Sequence, residues 1–225
     1  MYFLVILIAL AGMAVQWRLR NKFQQYGQIG LQANLTGREV ATKMLRDHGI
    51  YDVQIVSTEG RLSDFYNPTD KTVNLSEAVY NERSVAAAAV AAHECGHAVQ
   101  HAQAYSFLQF RSAIVPAVSA VSKVMPFILL AGIFMARTNL IPLGIGIALF
   151  ALTTLFSFIT LPVEFDASRR ALAWLDRSGT VTTQEHEGAK DALWWAAMTY
   201  VAAALGSLAT LLYYINIYQN SERRN

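Results

Sequence analysis

The chain has 225 residues, 54% of them hydrophobic and only 15% charged, an apolar excess too large for one soluble domain and gathered into a few long runs. A net charge of +2 gives no basis for binding nucleic acid, and a single cysteine excludes an intrachain disulfide.

Residues 1–17 are apolar and are followed at once by Arg18, Arg20 and Lys22. A secretory signal carries its charges ahead of the apolar core, so this order predicts an uncleaved transmembrane anchor with its basic end in the cytoplasm. Residues 18–113 form the first polar region. Thr36 with Glu39 three residues on is a capping-box signature, and Gly49 can close the helix it opens. Residues 53–56, 62–66 and 72–75 read as short strands separated by Glu59-Gly60 and Asn67-Pro68-Thr69-Asp70, and are expected to form a small antiparallel sheet. Residues 76–81 predict a short helical turn. Ser84 then caps an alanine-rich helix reaching Ala104.

Residues 114–162 predict a transmembrane hairpin, kinked at Pro116 and Pro126 and hinged at Arg137-Thr138-Asn139. Lys123 is read as snorkelling from a partly interfacial helix over 105–122. Residues 163–195 return to the polar side, with a stop at Gly179 and a new capping box at Thr182 and Glu185. Residues 196–218 form the last span, with Trp194, Trp195, Tyr213, Tyr214 and Tyr218 placed as aromatic belts, and Ala202 and Gly206 as a small-residue packing face. The fold class expected is an α-helical integral membrane protein with four transmembrane helices and a small α+β zincin-like cytosolic region. Residues 18–113 and 163–195 hold ten and four of the eighteen Lys+Arg, which places both in the cytoplasm of a multi-pass cell-membrane protein.

Within the alanine-rich helix stands His93-Glu94-Cys95-Gly96-His97. Residues four apart share a helix face, about 6 Å apart along the axis, so both imidazoles can reach one metal ion. Zinc takes such nitrogens, and a catalytic site keeps one position open for water. Glu94 is the general base expected beside it. Two histidines four apart can equally be core or surface residues, but polar rings on an apolar helix are costly without a partner. His101 continues the row too far along to share the same ion and is read as a neighbour. Cys95 points away as a packing residue. Glu164, in Leu161-Pro162-Val163-Glu164-Phe165-Asp166, is the preferred third ligand, placed at the start of a helix leaving the membrane. Pairing of Glu164 with Arg169 is the competing reading, and Asp166 the rival ligand. Tyr66, His186 and Arg169 are all conceivable donors to a developing oxyanion, and the sequence does not choose among them.

The motif around His93 and His97, with Leu62-Ser63-Asp64-Phe65-Tyr66-Asn67-Pro68 upstream and the 161–170 segment downstream, resembles the YugP family of bacterial membrane zinc metallopeptidases over almost the whole chain. More distantly it is similar to the HtpX and CAAX prenyl endopeptidases. The resemblance implies one zinc per chain on His93, His97 and Glu164, with Glu94 as catalytic base and a membrane-associated polypeptide as substrate. Those relatives usually carry aspartate where this chain has Ser168, so the support of one zinc histidine differs here. A zinc-containing membrane scaffold or regulator without proteolytic activity is the alternative. Whether a membrane-protein partner or a homo-oligomer gates the site is left open.

Overall fold

A computed structural model describes residues 2–60 and 63–223. The chain divides into two compact units. One comprises Met1–Val15, Gln109–Leu161 and Thr199–Asn225, the other Gln16–Leu108 and Pro162–Met198.

The second unit begins with the last part of α1 (Tyr2–Gly27), followed by α2 (Gly37–Asp47). At the start of α2 the Thr36 hydroxyl accepts from the Glu39 N–H, while the Glu39 carboxylate accepts from the Thr36 N–H at 2.8 Å. Two otherwise unbonded helix-end donors are thereby satisfied. Gly49, at φ +70°, takes the left-handed conformation that closes this helix.

Strands β1 (Gln54–Thr58), β2 (Phe65–Asn67) and β3 (Thr72–Ser76) form a sheet in the order β1-β3-β2. The expected all-antiparallel sheet is corrected here. Only β2 and β3 pair antiparallel, whereas β1 runs parallel to β3. Turn residues announce a change of direction but not which strand comes alongside, and β2 itself carries the chain back so that β3 follows the direction of β1. The β2–β3 hairpin turns on Asn67, whose side chain accepts from the Thr69 N–H at 2.9 Å and donates to Asp70 at 2.7 Å. Leu62, expected at the head of β2, lies outside the described residues. Central β3 buries Val73 and Leu75 completely.

After α3 (Glu77–Asn81), helix α4 (Val85–Ala102) is capped by the Ser84 hydroxyl, which accepts from the Ala87 N–H at 3.2 Å. Nearly every α4 residue from Val85 to Gln100 is buried, as expected for a helix apolar on all sides. Small alanines let neighbours close on it: Val40, Ala41 and Met44 of α2, and Ala171, Trp174 and Leu175 of the next polar segment, join the same core. Trp174 donates its indole N–H to Asp47 at 3.0 Å. Tyr26 donates to Asp191 at 2.6 Å, and Lys22 pairs with the same carboxylate at 2.7 Å.

The first unit is built from the apolar lengths of α1, α5 (Ser106–Met135), α6 (Ile141–Arg177) and α7 (Thr183–Glu222). These four helices are long and apolar enough to cross a membrane. At 26, 30, 37 and 40 residues, each exceeds the roughly 20 needed to span the hydrocarbon core. Close approaches occur at glycine. A Cβ on Gly132 would sit 2.5 Å from the Leu143 backbone, and Gly12 and Gly206 face Ala202 and Ile8 across the α1–α7 contact. Hydroxyls turn inward: Thr154 and Ser207 bond each other at 2.7 Å, and Thr160 and Thr210 donate to carbonyls one turn back. Phe127 and Phe134 face outward at 73% and 81% exposure, which suits a surface whose solvent is lipid.

One expected interruption is absent. Pro162 lies inside α6, which runs unbroken from Ile141 to Arg177, and Pro116 and Pro126 lie inside α5. Proline removes one backbone bond but does not end a helix whose neighbours hold it. Glu164 is therefore a mid-helix residue, not the first residue of a new one.

Candidate metal centre

Helix α4 supplies His93, Glu94 and His97, and α6 supplies Glu164 from a segment far along the chain. What lets the two helices meet is Gly96. A Cβ there would lie 2.6 Å from the Ala167 carbonyl oxygen, closer than any side chain tolerates, so hydrogen alone fits between the two backbones. One turn before Ala167, Glu164 then faces the histidines.

The imidazole rings of His93 and His97 stand edge to face, with centroids 4.9 Å apart. Glu164 Oε2 lies 3.4 Å from His93 Nε2 and 3.5 Å from His97 Nε2. Donors sharing one tetrahedral ion at about 2.05 Å are separated by about 3.3 Å along each edge, so two of the three donor separations already match a zinc shell. All three donor atoms fall within 4.8 Å of one another. His97 and Glu164 are buried and His93 is half-buried, so little must be desolvated when an ion enters. The residues present fit the metal.

Glu94 is buried against this group. Burial pushes its carboxyl up to about 7; neighbouring His93 opposes that rise, and Glu164 adds to it. The Tyr66 backbone N–H, on outer strand β2, donates to the Glu94 carboxylate. The metal-free protein should therefore lose stability as pH rises from about 4.5 to about 7. In that window the folded chain keeps the Glu94 proton that the unfolded chain has released, so each increment of pH favours unfolding. Thermal melts of chelator-treated protein across this range should show the decline, and Glu94→Gln should flatten it.

The other residues singled out from the sequence are placed as follows. His101 stands outside the trio, its Nδ1 2.7 Å from the Tyr66 hydroxyl. Burial drives that phenol up to about 12, so Tyr66 keeps its proton at neutral pH. Cys95 is buried and directs its thiol at the Ala41 carbonyl. Asp166, the rival ligand, turns to Arg169, Arg170 and Gln100. Arg169 thus pairs with Asp166 rather than with Glu164. His186 lies with Arg169, Lys190 and Trp194 along a 490 Å³ groove between α6 and α7.

Sequence reasoning missed the first of two contacts behind the rings, and reached the second only through the family resemblance at Ser168. Gln100 Oε1 lies 3.0 Å from His97 Nδ1, and Ser168 Oγ lies 3.0 Å from His93 Nδ1. A signal existed for the first, since Gln100 follows His97 by three residues and so shares its face of an otherwise apolar helix.

The family described as "Putative neutral zinc metallopeptidase" matches residues 1–219. The chain belongs to that family. It is also 40% identical, over the full length of both chains, to a Bacillus subtilis (strain 168) protein named "Putative membrane protease YugP". No solved structure matches.

Proposed function

We propose that the protein is a multi-pass membrane zinc endopeptidase that hydrolyses membrane-associated or misfolded polypeptides at a cytosol-facing site, in quality control or processing. The observation that carries this reading is the position of Glu164 Oε2 beside both imidazole Nε2 atoms, because a third donor from a remote segment is what a histidine pair lacks. His93, His97 and Glu164 would hold the ion. Zinc bound there supplies a Lewis acid that acidifies water and polarises a peptide carbonyl. Glu94 takes the proton of the attacking water as the new C–O bond forms, and returns it to the amine as the C–N bond breaks. Strand β2, at the sheet edge and joined to Glu94 through Tyr66, is the edge we assign to an extended substrate.

Purified protein should contain about one zinc per chain. Glu164→Ala and His97→Ala should lose the metal while retaining helical circular dichroism. Wild-type protein free of zinc after metal loading would end this reading. A structural zinc in a scaffold protein would call for a fourth protein ligand. Among the described residues the donor group has three members, which favours the hydrolase. The distribution of Lys and Arg supports the cytosolic orientation. Reporter tags at residue 60 and at the C-terminus should be found on opposite faces of the membrane.

A further inference from the structure

We propose that Gln100 and Asp166 form a positioning pair for His97, with the Ser168 hydroxyl serving His93, so that each imidazole presents Nε2 to the ion and neither has a carboxylate directly behind it. The proposal rests on the metallopeptidase reading above, and deepens it by naming what sets the ligands.

Gln100 is completely buried, and its amide makes three bonds, two from α4 to α6 and one to His97 within α4. The side-chain NH₂ donates to the Val163 carbonyl at 2.8 Å and to Asp166 Oδ2 at 2.9 Å. The Val163 carbonyl can only accept. Asp166 takes hydrogen bonds from Arg169 at Oδ1 and from Arg170 at Oδ2, so its oxygens also meet the amide as acceptors. Both donor hydrogens of the amide are therefore committed to α6, which turns Oε1 toward His97. Oε1 can only accept, so His97 Nδ1 must carry the hydrogen of that 3.0 Å contact, and the lone pair is left on Nε2. That is the atom facing Glu164. The tautomer of His97 is thus dictated from Asp166, two hydrogen bonds away, through an amide that has no alternative orientation without losing bonds in a buried site.

His93 is served more simply. The Ser168 hydroxyl lies 3.0 Å from Nδ1 and can accept its hydrogen, which accommodates the same tautomer without dictating it. Both acceptors are neutral. An amide or hydroxyl draws less proton density from imidazole than a carboxylate does, so the ligands are weaker bases and a bound ion keeps more of its positive charge.

The test measures metal binding, not turnover. In detergent-purified full-length protein, zinc affinity would be read by competition with a chelator. The visible spectrum of the cobalt(II)-substituted protein would report ligand geometry. Gln100→Met keeps the volume and removes the hydrogen bonds; it should weaken zinc by about 10–100-fold and alter the cobalt spectrum. Asp166→Asn, which leaves Gln100 in place, should weaken zinc in the same direction by less. Because Asp166 acts through Gln100, the double variant should bind no more weakly than Gln100→Met alone. Unchanged zinc affinity and cobalt spectrum in folded Gln100→Met would overturn the pair, and so would additive losses in the double variant. Should Gln100→Met fail to fold, Asp166→Asn decides: wild-type affinity and spectrum there refute the relay. Wild-type protein that takes up neither metal defeats the metallopeptidase reading and this proposal together.

Discussion

Glu94→Gln is expected to leave zinc content at the wild-type level and to lower peptide cleavage by about 10²–10⁴-fold. Glu94 is buried beside the histidines yet lies outside the donor group of His93, His97 and Glu164, so its loss need not release the ion. Glutamine matches its volume and can still accept from the Tyr66 N–H that bonds the native carboxylate. It cannot take up and return a proton. The check is paired: metal analysis and cleavage of a denatured membrane-protein substrate, on the same preparation. Cleavage at the wild-type rate would remove Glu94 from the chemistry. Loss of zinc together with activity would mean instead that the residue supports the metal.

The second large effect is expected at Gly96. Even Gly96→Ala places a methyl group 2.6 Å from the Ala167 carbonyl oxygen, where the obstacle is backbone and cannot swing aside. The helices must part, and Glu164 must withdraw from imidazoles only 3.4 and 3.5 Å away. Overpacking of this kind costs about 1–3 kcal/mol, and the loss should fall chiefly on metal binding because one of three ligands moves. Zinc content should drop below stoichiometric and the melting temperature should fall. Gly96→Val should be worse on both counts. A variant with full zinc occupancy and an unchanged melting temperature would show that the α4–α6 approach does not set the site.

Much of this architecture was legible in linear form because the signals were local. Thr36 and Glu39 announced a capping box, Ser84 a cap, and Gly49 a left-handed stop, each a matter of a few consecutive residues. The four long apolar runs were equally plain, since length and hydropathy alone decide whether a helix can cross a bilayer. Failures came where a local signal competes with packing. Proline at 162 suggested a new helix starting at Glu164, yet α6 is continuous through it. Turn residues around 59–70 suggested antiparallel neighbours, whereas strand order is a long-range property and pairs β1 parallel to β3.

Around the candidate centre, the sequence by itself determined which groups are available: two imidazoles one helical turn apart, a carboxylate between them, and a further glutamate after a long apolar run. Helical periodicity makes the first arrangement unavoidable once the segment is a helix. Only the tertiary structure decided that Glu164 rather than Asp166 faces the imidazoles, that Asp166 is occupied by two arginines, that Gln100 stands behind His97, and that the histidine Ser168 serves is His93. Those choices follow from how closely α4 and α6 approach, and that distance is set by the space at Gly96 and Ala167, two positions that carry no chemistry of their own.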